Sequence, residues 1–124
     1  MQWTQEVADS GFTHSNSSSS QNITLDSVGK YLVFINLPIS GNVARASPEI
    51  LTNIGGVQVS GGFASQGYIR NSEATSKSSV HWVGMVETSS ANQILTFDVK
   101  QRATAGTITV PTNEKGSVFI EKLA

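Results

Sequence analysis

The chain has 124 residues, which is enough for one domain built around one hydrophobic core. Eight basic and nine acidic side chains give a net charge of −1, and no like charges cluster, so the phosphate-binding footprint of a nucleic-acid partner is missing. The sequence contains no cysteine, which excludes disulfides and thiolate metal sites, and no apolar stretch approaches the roughly 18 residues of a membrane-spanning helix.

Two further features concern folding and location. Valine, isoleucine, leucine and phenylalanine recur in short, regularly spaced clusters from Ile23 to Leu123, which is typical of a folded chain and not of a disordered one. The first residues lack a basic segment followed by an apolar one, so no signal peptide is expected. The sequence therefore predicts a folded protein that is made in a cytoplasm.

Strand signals recur along the whole chain, whereas helical periodicity is almost absent. Short apolar or alternating runs are separated by turn clusters of glycine, serine and asparagine. The predicted strands cover residues 3–8, 22–25, 31–39, 49–54, 57–59, 67–70, 79–88, 93–102, 107–110 and 117–123. This density predicts an all-β, antiparallel β-sandwich, a jelly roll of roughly 8–10 short strands.

The domain organisation follows from a low-complexity serine and asparagine segment at residues 15–21. It separates the first predicted strand from the second, and it is either a mobile surface loop or a segment that orders on assembly or on glycan binding. We expect residues 1–21 to form an N-terminal strand and serine-rich loop that act as an assembly arm. Residues 22–124 form the predicted jelly-roll domain.

Three predicted strands are apolar on both faces, although a sheet of a two-layer sandwich buries only its inner face. In the predicted strand 31–39, one face carries Tyr31, Val33, Ile35 and Leu37, and the other carries Leu32 and Phe34. In the predicted strand 79–88, one face carries Val80, Trp82 and Val86, and the other carries Val83 and Met85. In the last predicted strand, Val118 and Ile120 alternate with Phe119 and Leu123. Two explanations stand: loops or the N-terminal segment cover the second face, or copies of the chain cover it in a homo-oligomer.

Three motifs follow one another along the chain: Gly-Lys-Tyr-Leu-Val-Phe at residues 29–34, Asn-Gln-Ile-Leu-Thr-Phe at 92–97 and Gly-Ser-Val-Phe-Ile at 116–120. Their order is similar to that of the tumour necrosis factor and complement globular-head superfamily. Jelly rolls of this superfamily begin with a Gly-x-Tyr strand, end on a phenylalanine-containing strand and pack as three-fold trimers. The resemblance implies a homotrimer with an interface made by Tyr31, Val33, Ile35, Val83, Met85 and Phe119.

Residues 61–71, 79–84 and 105–111 also resemble small β proteins of tailed-bacteriophage virions. This resemblance implies a virion protein on the capsid surface, namely a trimeric decoration (cement) protein that binds the major capsid protein. The alternative is the receptor- or glycan-binding tip of a tail fibre or spike, with a host-surface glycan as partner. We favour decoration because no repetitive shaft sequence precedes the domain.

Catalytic chemistry is not expected, and neither is a cofactor or a metal. The only imidazoles are His14 and His81, and no nucleophile elbow, phosphate-binding loop or zinc motif occurs. Among the aromatic residues, Trp3 and Tyr68 are candidates for contacts with a partner, and Arg70 lies beside Tyr68 near a glycine-rich stretch. We therefore expect Trp3, Tyr68 and Arg70 to touch a partner, although core packing of the aromatics and an ion pair of Arg70 remain alternatives.

Overall fold

The computed structural model describes residues 10–15, 18–42, 44–64, 68–70, 77–101, 107–111, 114 and 116–124. Within these ranges the chain contains strands and no helix, so the all-β prediction is confirmed. The strands are β1 (Phe12–His14), β2 (Ile23–Leu25), β3 (Gly29–Gly41), β4 (Pro48–Ile54), β5 (Val57–Ala64), β6 (Lys77–Thr88), β7 (Gln93–Gln101), β8 (Ile108–Thr109) and β9 (Ser117–Lys122).

The strands form two antiparallel sheets. The first has the order β1-β2-β7-β4-β5, and the second has the order β6-β3-β8, with β9 also paired to β3. Strand β3 is the centre of the second sheet, because it pairs with β6 from Gly29 to Ser40 on one edge and with β9 from Tyr31 to Asn36 on the other. The outward-facing residues of β3 thus lie in the middle of a three-stranded surface formed with β6 and β9.

Both sheets contribute to one core. Its buried apolar side chains are Ile23, Leu25, Tyr31, Val33, Ile35, Leu37, Ile39, Ala46, Ile50, Ile69, Val80, Trp82, Val86, Leu95 and Phe97. In β3 every second residue from Tyr31 to Ile39 is at most 1% exposed, as the period of two in a strand requires when one face is buried. The inner face of the second sheet is therefore the face that carries Tyr31.

Three strand predictions need correction. Strand β1 was not predicted, because its three residues are too short a run to give a pattern. The predicted turn at residues 60–62 lies inside β5, where Gly61 with φ +71° lets the strand bulge and continue. The predicted strand 67–70 is reduced to a single bridge between Ile69 and Ala46. The predicted strand 3–8 lies outside the described residues.

A buried tyrosine holds the turn between β2 and β3. The hydroxyl of Tyr31 donates a 2.6 Å hydrogen bond to the Ser27 carbonyl, and its ring contacts Phe12 edge to face with centroids 5.9 Å apart. Thr88 supports the same turn, because its hydroxyl accepts from Gly29 N at 3.0 Å and donates to Ser27 O at 3.1 Å. These bonds satisfy backbone groups that the turn would otherwise bury without partners.

Replacing Tyr31 by Phe tests this arrangement. The ring contact with Phe12 is kept, but the Ser27 carbonyl loses its 2.6 Å donor. We expect the free energy of unfolding to fall by about 1 kcal/mol, the usual net contribution of one hydrogen bond, because Thr88 still donates to the same carbonyl. Denaturation by urea at a fixed protein concentration measures this change, and a variant as stable as the wild type would show that solvent already satisfies the turn.

Candidate functional site

The outer face of the second sheet carries a continuous apolar surface. We call the side chains of Leu32, Phe34, Val83, Met85 and Phe119 the apolar face. The strand register places Phe34 between Val83 on β6 and Phe119 on β9, and it places Leu32 beside Met85. Because all five lie on neighbouring strands at matching positions, they form one patch and not separate exposed residues.

This patch is open to solvent in the single chain. Phe34 is 41% exposed, Val83 53%, Met85 55% and Phe119 57%, and the Phe34 and Phe119 rings meet edge to face with centroids 6.0 Å apart. With aromatic side chains of about 150–250 Å² each, these fractions correspond to an exposed apolar area on the order of 400 Å². Patches of that size on a soluble protein commonly mark a binding surface.

The border of the apolar face is polar and carries both signs of charge. Lys30 lies opposite Glu87, and Glu121 lies opposite Leu32. Asn36 and His81 are paired at the other end of the patch, and all of these residues except Leu32 are exposed. An apolar centre with a polar, solvated border is the usual composition of a protein–protein interface.

The outer face of the first sheet differs from this surface. There Asn53 donates a 2.9 Å hydrogen bond to Asp98, and Lys100 lies 3.5 Å from the Glu49 carboxylate. Most described side chains of β4 and β7 on this face are polar, although Glu49 and Asn53 are at most 7% exposed and Ile94 on the same face is 37% exposed. The apolar face is a property of one sheet only, so general hydrophobicity of the chain does not explain it.

The structure divides the predicted interface residues between two faces. Val83, Met85 and Phe119 lie on the apolar face, whereas Tyr31, Val33 and Ile35 lie on the inner face and are at most 1% exposed. Those three side chains pack the core of this chain and offer no surface to a partner. The interface prediction did not include Leu32 and Phe34, although the alternation in β3 had already separated them from Tyr31.

The predicted partner contacts lie elsewhere. Tyr68 is 55% exposed and Arg70 is also exposed, and they flank the buried Ile69 near the end of β3. Trp3 lies outside the described residues. Arg45, which the sequence analysis did not select, is joined to Arg70 by a 3.2 Å backbone hydrogen bond. The signal for it would have been the pairing of Ala46 with Ile69, which no local pattern reveals.

One histidine is held by a hydrogen bond within the fold, and the other lies on the surface. The Nε2 atom of His14 donates to the Ser20 carbonyl at 2.8 Å, and His81 is exposed at the border of the apolar face. A search of the described ranges finds no group of three histidine, cysteine, aspartate or glutamate residues that could hold a metal ion. The part of the chain that the structure describes also contains no helix long and apolar enough to cross a membrane.

No protein-family model matches the chain, and no curated protein matches it either.

Proposed function

We propose that the chain is a non-enzymatic structural protein of a virion, a homotrimer that decorates a bacteriophage capsid and stabilises it. The observation that carries the proposal is the apolar face on the second sheet, with Phe119 57% exposed at its edge. An exposed apolar surface of this kind is typically buried against a partner, and a subunit of an assembly buries it against its neighbours. The viral role rests on the resemblance of residues 61–71, 79–84 and 105–111 to phage virion proteins.

The partner of the apolar face is a second and a third copy of the chain. Its border supports self-association, because Lys30 and the two glutamates Glu87 and Glu121 allow opposite charges to meet when copies pack side by side. The apolar area on the order of 400 Å² supplies about half of the roughly 800 Å² per partner in a stable interface, and the polar border supplies the rest. The net charge of −1 gives little repulsion between copies.

The connectivity supports a jelly roll. Consecutive strands of the described chain lie in opposite sheets except within the pairs β1–β2, β4–β5 and β8–β9: the first sheet holds β1, β2, β4, β5 and β7, and the second holds β3, β6, β8 and β9. Crossing repeatedly between two antiparallel sheets is the pattern of two joined Greek keys. This connectivity agrees with the resemblance to the trimeric jelly rolls of the tumour necrosis factor and complement superfamily.

Decoration works through burial and avidity. A rigid trimer placed on a three-fold position of a capsid lattice touches three equivalent partners, so weak single contacts with the major capsid protein combine into strong retention. The loops at the ends of the sandwich are the surfaces that remain for this contact, because the apolar face is used between copies.

Two measurements test the proposal. Native mass spectrometry or light scattering is expected to give about 40 kDa, three times the 13.2 kDa chain. Electron cryomicroscopy of purified particles is expected to show many copies at lattice three-fold or pseudo-three-fold positions. A 13.2 kDa species at high concentration would overturn the trimer, and density only at a tail or vertex would overturn decoration.

The second candidate function is the tip of a tail fibre or spike. It is favoured by Tyr68, which is 55% exposed next to the exposed Arg70 and away from the apolar face. A tip would use the same trimer and present these residues to a receptor on the host surface. Particle images separate the two roles, because a tip occupies few positions.

A further inference from the structure

Two loops meet near the end of β3 through a single β-bridge. Ala46 and Ile69 exchange backbone hydrogen bonds of 3.0 and 2.9 Å, and both side chains are fully buried. Next to them, Tyr68 N donates to Ser78 Oγ at 3.1 Å, which ties this segment to β6. The backbone on both sides of the bridge is therefore held in place by the core and by hydrogen bonds.

The bridge directs three side chains outward. Because Ala46 and Ile69 point into the core, their neighbours Arg45, Tyr68 and Arg70 lie on the opposite, solvent side, and all three are exposed. A hydrogen bond of 3.2 Å from Arg45 N to Arg70 O places the two arginines side by side. The protein thus exposes two arginines and one tyrosine at neighbouring backbone positions around the bridge.

Within the described ranges no acidic side chain forms an ion pair with either arginine of this patch. Among the described residues the ion pairs are Lys77 with Glu114 and Lys100 with Glu49, and neither involves Arg45 or Arg70. Like charges on paired strand positions destabilise a fold. Arg45 also adopts φ +60°, a conformation that non-glycine residues avoid unless their surroundings impose it. An anion bound between the two arginines would offset their mutual repulsion.

We propose that Arg45, Arg70 and Tyr68 form a binding site for a carboxylate-bearing sugar. A guanidinium group forms paired hydrogen bonds with a carboxylate, and the flat face of Tyr68 can pack against the C–H groups of a sugar ring. The patch is too small for a protein partner, which needs about 800 Å² per side. Tyr68 is the single exposed large apolar residue near this bridge within the described ranges.

This site does not depend on the capsid role. It lies beyond the apolar face, near the end of β3 where Gly41 packs close to Ala46 and Ile69. A trimer would carry three such sites, which raises the avidity for a polymeric sugar without changing the affinity of each site. Sugar binding at this site is therefore compatible with a decoration protein and with a fibre tip.

Titration of the wild-type protein with a glucuronate-containing oligosaccharide tests the proposal. We expect saturable binding in calorimetry and amide NMR shifts confined to residues 44–47 and 68–70. A neutral dextran oligomer of equal length should not bind. Arg45→Gln, Arg70→Gln and Tyr68→Ala should each weaken binding about tenfold, the usual loss when a charged hydrogen bond or an aromatic contact is removed.

The matched control is Lys122→Gln, which removes the same charge from an exposed residue at the other end of β3. Lys122→Gln should bind the oligosaccharide like the wild type. An equal loss of affinity in this control would mean that net charge alone causes the effect, and it would overturn the proposed site. Equal binding of dextran would overturn the carboxylate requirement. Tighter binding of polyglutamate, or full competition by millimolar sulfate, would overturn a sugar as the ligand. The mass measurement reports separately on the trimer.

Discussion

Phe119→Asp is expected to convert the proposed trimer into a monomer of 13.2 kDa or into insoluble material. Phe119 is 57% exposed in the single chain and meets Phe34 on the apolar face, so its side chain faces solvent in a monomer and would face a neighbouring copy in the proposed trimer. In a monomer the introduced carboxylate faces solvent and costs little. In the proposed interface it is buried without a partner, which costs several kcal/mol. The dissociation constant should rise by at least roughly 100-fold, as measured by light scattering over a dilution series.

The control for this variant is Ile94→Asp. Ile94 is 37% exposed on β7 of the first sheet. The substitution therefore introduces the same charge at an exposed apolar position that lies away from the apolar face. It should remain trimeric. If Phe119→Asp is insoluble, Met85→Glu provides a second test at a residue that is 55% exposed on the same face. A Phe119→Asp protein that stays trimeric and equally heat-resistant would remove Phe119 from the subunit boundary.

The strands were predictable where alternation is strong. Strand β7 was predicted as residues 93–102 and runs from Gln93 to Gln101, because its apolar residues occupy every second position between well-marked turns. Strands β3 and β6 are each two or more residues longer than predicted, since their ends are extended by pairing with each other and not by their own sequence. Pairing between distant segments is invisible in a local pattern.

The faces of the strands were predictable, but their orientation was not. Alternation separated Tyr31, Val33 and Ile35 from Leu32 and Phe34, and the structure confirms that division. Both sets are apolar, so the sequence alone does not tell which one faces the other sheet. The predicted interface consequently mixed residues from the two faces. Packing between the two sheets decides the question, because Tyr31, Val33 and Ile35 share one buried core with side chains of the first sheet such as Leu95 and Phe97.

The two proposed surfaces are compatible with each other. Strand β3 begins at Gly29 and carries Leu32 and Phe34 in its first half, whereas the bridge with Arg45 and Arg70 lies beyond its last residue, Gly41. Copies that bury the apolar face would leave the arginine patch exposed. Loss of self-association and loss of sugar binding are therefore expected from different substitutions.

A glycine in the middle of β6 has a specific cause. Strand interiors disfavour glycine, yet Gly84 lies within this twelve-residue strand. A Cβ atom at this position would lie 2.7 Å from Cη2 and 2.8 Å from Cε2 of Trp82, which packs over the glycine. The indole is 6% exposed, and its Nε1 donates to Gly61 O at 2.8 Å across to the other sheet. Gly84 thus leaves room for a tryptophan that links the two sheets.

Gly84→Ala is therefore expected to lower the free energy of unfolding by about 3 kcal/mol, because the methyl group displaces the Trp82 indole and breaks its hydrogen bond to Gly61. A double-mutant cycle with Trp82→Leu isolates this cause. Trp82→Leu alone is destabilising, but in its presence Gly84→Ala should cost less than about 1 kcal/mol, since the clash no longer exists. Urea denaturation of the four proteins measures the coupling. If the losses of unfolding free energy from the two substitutions simply add, glycine at position 84 is required by the backbone of β6 and not by the Trp82 indole.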